Sequence, residues 1–188
     1  MPAVAALHRE CFEGTFIAYW GKSLIARYYQ KYLEEGGPFV LTFDGDKLVA
    51  FCMGYYEGSS ARNVFLKENK IRLALRLAVL CLSLNKLVQK KCWHYFFGAS
   101  NNDSASRSKV KAEADLLSIC VLSEYRGQGI SIELLRQFEN RVAASGKKDI
   151  TLAVYQNNGR AIAFYQKVGY AIAGEDGDEY KMYKALQK

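Results

Sequence analysis

Histidine is scarce in this chain: His8 and His94 are the only two in 188 residues. Neither stands in a cluster with cysteines or carboxylates, which argues against a metal centre. The five cysteines (Cys11, Cys52, Cys81, Cys92 and Cys120) are odd in number and show no Cys-x-x-Cys spacing. They read as buried, reduced thiols rather than a disulfide framework. A cysteine nucleophile is disfavoured, because no motif sets a histidine beside Cys120. Long apolar runs are also missing. The richest, Leu73 to Leu84, carries Arg76 and is too short to cross a bilayer. Nothing at the start reads as a secretory leader, since His8, Arg9 and Glu10 interrupt the opening apolar residues. No repeat or low-complexity segment is evident. These absences point to a soluble, cytoplasmic protein with no metal and no membrane partner. The pI of about 9.1 does not make it a nucleic-acid binder, because no recognition module accompanies the charge.

What is present suits one globular domain over residues 1–188: half of the residues are apolar and thirteen are tyrosines. From Val4 to Glu35 the apolar residues recur closer to period 3.6 than to period 2, predicting two or three helices split at Gly14 and Gly21 and stopped by Gly36-Gly37-Pro38. Strands are predicted over Phe39–Phe43 and Lys47–Tyr56, joined by an Asp44-Gly45 hairpin signal. Further on, Asp149–Tyr155 reads as a strand and Arg160–Val168 as a helix. Tyr170–Gly174 and Glu179–Lys184 read as a hairpin turning at residues 175–178. The alternation predicts a mixed α+β architecture with helices on both faces of the sheet.

Charge is concentrated. Residues 62–111 hold eleven basic side chains against two acids, a balance of +9, whereas the whole chain carries +7. Arg72, Arg76, Ser83, Lys86 and Lys90 fall on one stripe of a helical pattern over residues 62–92, and leucines and valine fill most of the remainder. The plain reading is a mostly buried helix with a solvated basic edge. The sharper one places the segment beside an acceptor cleft, attracting a phosphate-bearing or otherwise acidic molecule. Its leucines could equally form a homodimer surface. The Asn/Ser-rich stretch 100–108 reads as a loop.

The chain is organised around residues 116–131, where an apolar strand ends in Ser123-Glu124-Tyr125 and the corner Arg126-Gly127-Gln128-Gly129. Apolar residues then return at Ile130, Leu134, Leu135, Phe138 and Val142 with helical spacing. The first N–H groups of a helix lack intrahelical partners and sit at the positive end of its dipole. Glycines there let an anion come close. The spacing fits neither a dinucleotide fingerprint nor a P-loop, and alone it is equally a plain tight turn.

A second stretch, residues 150–170, changes the balance. Arg126-x-x-Gly129-x-Ser131 followed by Asn158-x-x-Ala161-x-x-x-Tyr165-x-x-x-Gly169-Tyr170 resembles the GNAT superfamily of acyl-CoA-dependent N-acetyltransferases. Ser131 departs from the glycine or alanine usual there, and it is small enough to leave a phosphate site open. The resemblance implies a splayed central sheet and transfer of an acetyl group from acetyl-CoA, as co-substrate, to an amine attacking directly in a ternary complex. It implies that the pantetheine arm lies along the strand through Cys120 and Val121, the Val121 amide meeting the thioester oxygen. The phosphates would meet the main chain of Arg126, Gly127, Gln128, Gly129, Ile130 and Ser131. Asn158 and Ala161 would border the coenzyme, and Tyr165 would be the general acid. Asp115 is the candidate base, with Glu113 beside it; a solvated strand-end acid is the plain alternative. The acceptor implied is a small-molecule amine, such as an amino sugar or a nucleotide-linked amino sugar. A protein N-terminus or lysine, and a non-catalytic CoA sensor or scaffold, stay open.

Overall fold

The computed structural model describes residues 1–82 and 110–186. The chain begins with α1 (Pro2–Cys11), a 3-10 turn (Ile17–Trp20) and α2 (Lys22–Glu34). Pro2 suits the first turn of α1 because its missing N–H is not needed there. Gly21 and Gly36, at φ +91° and +77°, break the chain on either side of α2.

Strands β1 (Phe39–Asp44) and β2 (Lys47–Tyr56) form the expected hairpin. Its two central residues are Gly45-Asp46, one position later than the dipeptide signal, because Asp44 still pairs with Lys47. After α3 (Ala61–Leu82) come β3 (Ala114–Val121), a 3-10 turn (Ser123–Tyr125), α4 (Ile130–Ala144), β4 (Asp149–Tyr155) and α5 (Gly159–Lys167). The hairpin β5 (Ala171–Asp176) and β6 (Glu179–Ala185) closes the fold. Its turn is shorter than predicted, because Glu175 and Asp176 pair with Tyr180 and Glu179.

Six strands make one mixed sheet in the order β1-β2-β3-β4-β6-β5, antiparallel except for β3 beside β4. Period-2 alternation along β2 divides its core residues. Val49, Phe51 and Met53 pack with α1, α2 and α3, while Ala50 and Cys52 pack with α4 and α5. Helices cover both faces, as expected. Lys184 on β6 clamps the second layer, donating to both Glu139 carboxylate oxygens on α4 at 2.7 and 2.8 Å and to the Val168 carbonyl at 2.8 Å.

The basic helix differs from the expectation of a mostly buried element. Leu73, Leu77 and Leu80 are buried, but Ile71, Leu75 and Val79 are 75, 65 and 58% exposed. One stripe at i, i+4 spacing meets the protein and its neighbour does not. Ser83, Lys86, Lys90 and the 100–108 loop lie outside the described residues.

His8 is buried beside Phe12, just past α1, and Tyr29 on α2, and burial pushes its pKa down from 6.5 to about 4. The unfolded chain therefore takes up a proton at a pH where the folded one does not. Stability is complete above about pH 6.5 and falls as pH drops toward 4, by about 3 kcal/mol from this group. Urea midpoints across that range should show the decline, and a His8→Gln variant should flatten it.

Candidate active site

Parallel pairing of β3 and β4 stops early. Ala114, Asp115 and Leu116 pair with Ile150, Thr151 and Leu152, and no pair follows although β3 runs on to Val121 and β4 to Tyr155. The parting coincides with an irregularity on the other edge of β3. Met53 of β2 faces Ser118 and Gly54 faces Leu116, so Leu117 is a bulged residue. Between the diverging strands lies a cleft of about 670 Å³.

The arginine corner closes one end. Gly127 and Gly129 both hold φ +81°, and a Cβ built on either would meet nothing within 4 Å. The corner is open, and its backbone is one that side-chain-bearing residues rarely adopt. No side chain caps α4. Glu133, the acid in its first turn, is held by Arg136 at 2.7 Å and Gln137 at 2.8 Å.

Arg126 is fixed rather than loose, its Nε donating to the Val121 carbonyl at 3.0 Å. The Leu122 N–H donates to Val49 on β2 at 3.0 Å. Strand alternation therefore turns the Val121 peptide toward the opening. The Cys11 thiol donates to the same carbonyl at 3.5 Å.

Of the predicted residues, Cys120, Val121, Arg126, Gly127, Gly129, Ser131, Asn158, Ala161 and Tyr165 line this cleft. The side chains of Gln128 and Ile130 lie elsewhere: Gln128 donates to the Glu124 carbonyl at 3.0 Å, and Ile130 packs on the core under α4. Asn158 caps α5, its Oδ1 accepting from the Ala161 N–H at 3.2 Å. Tyr165 is 8% exposed, and burial first, then the nearby Cys52 and Cys120 thiols, push its phenol well above the usual value.

Asp115 lines a second cavity of about 250 Å³ at the closed end of the strands, with Tyr55, Glu57, Lys111, Thr151 and Lys181. It accepts from Thr151 Oγ1 at 2.9 Å and lies 3.6 Å from Lys181 Nζ. Burial raises its pKa, and Lys181 and Thr151 offset part of that. Glu113 instead accepts from the Lys148 N–H at 2.7 Å. Arg72 and Arg76 line neither cavity, and Arg76 Nε donates to the Tyr19 carbonyl at 3.0 Å.

Sequence reasoning missed Cys11, Phe12 and Thr15, which reach the cleft from the end of α1, and Arg160 and Lys167 on α5. The two basic residues, seven apart on one helix, were visible as a shared face. The α1 residues carry no local signal.

Residues 93–170 match the acetyltransferase (GNAT) family. That segment resembles the GNAT acetyltransferases. The resemblance drawn from the two motifs is thereby borne out. A curated relative, the uncharacterized N-acetyltransferase YdgE of Bacillus subtilis, is 27% identical over 88 residues, covering 42% of this chain. The match spans 56% of that relative's length. Among solved structures, the PaiA N-acetyltransferase of Thermoplasma acidophilum in complex with coenzyme A superposes with a TM-score of 0.57 at 15% identity. The alignment covers 98% of this chain and 91% of that one. The ribosomal-protein-S18-alanine N-acetyltransferase of Escherichia coli gives the same score and identity, covering 100% and 88%. At such identities the likeness speaks for the GNAT fold. Among the described residues no group of histidine, cysteine and carboxylate side chains could hold a metal, and no helix is long and apolar enough to cross a membrane.

Proposed function

We propose that this chain is an acetyl-CoA-dependent N-acetyltransferase whose acceptor is a primary amine on a small molecule. The observation that carries the reading is the early end of β3–β4 pairing, beside an uncapped helix start with two open positive-φ glycines. A diphosphate fits main-chain donors at such a corner, and Arg126, Arg160 and Lys167 supply three cations around the same cleft. The extended arm of the coenzyme would lie along Ile119–Val121, with the Val121 amide on the opening side of the strand.

The chemistry asks for no covalent enzyme intermediate. The amine attacks the thioester carbonyl, the C–N bond forms, the C–S bond breaks and the thiolate takes a proton. Tyr165, buried and firmly protonated, is the hydrogen-bond donor to the departing sulfur, and the released thiolate takes its proton from solvent. Asp115 is the proton acceptor, acting through water because it borders the neighbouring cavity. Its raised pKa makes it a stronger base than an exposed carboxylate. Lys111 and Lys181 border that cavity too, which suits an acceptor bearing an acidic group, such as a nucleotide-linked amino sugar.

Thiol release from acetyl-CoA should be followed with amino sugars, nucleotide-linked amino sugars, polyamines and peptides with free N-termini. Turnover is expected with the first two. Tight CoA binding without thiol release from any amine would instead make the chain a coenzyme sensor.

A further inference from the structure

Helix α3 carries two apolar faces, and nothing above accounts for the second. Leu73, Leu77 and Leu80 are buried against the protein, whereas Val64, Ile71, Leu75 and Val79 are exposed, Ile71 most of all. At about 100° per residue, these four share about 80° of the helix surface on the side away from the core. A contiguous apolar strip left in water marks a surface that something covers.

Cations line both edges of that strip. Lys67 and Lys70 fall on one side of it, Arg72 and Arg76 on the other, and all four are exposed. The acid of the helix, Glu68, falls within the strip, but Lys31 on α2 draws it aside at 3.0 Å. Arg76 is tied back through its Nε to the Tyr19 carbonyl at 3.0 Å. Lys67, Lys70 and Arg72 have no carboxylate partner among the described residues.

The charge decides between occupants. A second copy would set the same cations against one another around the strip, and like charges at such an edge repel. An acidic protein would match in charge but would have to offer a groove for a convex ridge one helix wide. An anionic lipid surface supplies both parts at once: headgroups meet the cations on either edge while the strip enters the acyl boundary between them. Such docking needs no spanning length, and α3 is not long and apolar enough to cross a membrane. The lack of a spanning run, which spoke against a membrane partner in the sequence, therefore does not bear on a helix that lies flat.

We propose that α3 docks the protein on an anionic lipid surface, with Ile71, Leu75 and Val79 in the boundary between headgroups and acyl chains and Lys67, Lys70 and Arg72 on the headgroups. None of these residues lines the coenzyme cleft, so the proposal stands apart from the acyl-transfer reading.

Co-sedimentation of the full chain with vesicles tests it, alongside thermal melting of each variant and analytical ultracentrifugation. Vesicles of phosphatidylcholine with about 30% phosphatidylglycerol should pellet the parent, and pure phosphatidylcholine should not. Salt at about 1 M, where the Debye length is about 3 Å, should release most of it. Leu75→Ser should weaken binding to the anionic vesicles about tenfold. Lys67→Gln combined with Arg72→Gln should weaken it about 25-fold, about fivefold for each cation. Melting should not change, because all three side chains are exposed. A parent that binds neutral and anionic vesicles alike, or neither, would overturn the proposal. So would a dimer that Leu75→Ser dissociates, which gives the face to a second copy, or binding of polyglutamate that anionic vesicles do not displace, which gives it to an acidic protein.

Discussion

Replacing Tyr165 by Phe should lower kcat by about 10²–10³-fold while leaving CoA affinity within a factor of about two. The expectation follows from where the phenol sits. Tyr165 lies on α5 seven residues beyond the Asn158 cap, buried against Phe164 and Tyr170 yet lining the cleft. Phenylalanine keeps those ring contacts, so the fold should survive and the loss should fall on chemistry.

The raised phenol pKa shapes the form of the effect. A thiol loses its proton near pH 8.5, so a phenol well above 10 surrenders its proton to a thiolate only uphill. Tyr165 therefore works by donating a strong hydrogen bond to the sulfur as the C–S bond lengthens. Two consequences can be measured. The parent and the variant should share the same basic limb in the pH–rate profile, since Tyr165 stays protonated throughout. An acetyl thioester with a more acidic leaving thiol should narrow the gap between them, because its sulfur needs less help to depart. Undiminished turnover by Tyr165→Phe would remove the phenol from the mechanism.

How far such a site could be read in advance depends on the range of the interaction that makes it. The arginine corner is local: glycines, a strand end and a helix start lie within sixteen residues, so Arg126, Gly127, Gly129 and Ser131 were legible. Asn158 and Tyr165 were legible for the same reason, as positions on one helix. Hairpin turns were placed within a residue or two, because Gly45 and Gly177 adopt the positive φ that tight turns require.

What stayed hidden is produced by register and by packing across the sheet. Nothing near Leu117 announces a bulge, which exists only relative to Met53 and Gly54. His8 shows no trace in sequence of its contact with Tyr29, twenty-one residues away, nor Tyr29 of Ser118, eighty-nine away. Cys11 likewise looked like an ordinary core thiol until α1 was seen to end at the cleft. Asp115 was legible as a strand-end acid, but its burial depends on Tyr55, Thr151 and Lys181 from other strands.

Gly54 is the clearest such hidden requirement, and substituting it should produce the largest loss of stability. Its own φ is not in the left-handed region, so no local rule asks for glycine. A Cβ there, however, would run into the Asp115 carbonyl oxygen and the Phe138 ring, whose Cζ and Cε2 would stand at 2.5 and 2.8 Å. Phe138 is fully buried on α4, the helix whose start forms the arginine corner. The missing side chain thus allows α4 to lie close against β2 just where β3 bulges and begins to leave β4. Overpacking a well-filled core costs about 1–3 kcal/mol, and the main-chain oxygen cannot rotate away, so Gly54→Ala should lie at the upper end and Gly54→Val beyond it. Denaturant midpoints should fall accordingly at unchanged slope. Phe138→Leu in the Gly54→Ala background should restore only part of the loss, because it relieves the ring contact and leaves the Asp115 carbonyl in place. CoA titration should also weaken in the folded fraction of Gly54→Ala, since pushing α4 outward displaces the helix start that receives the phosphates. A Gly54→Ala protein with parental stability and parental CoA affinity would show that the sheet yields at this point without cost, and that α4 owes its position to other contacts.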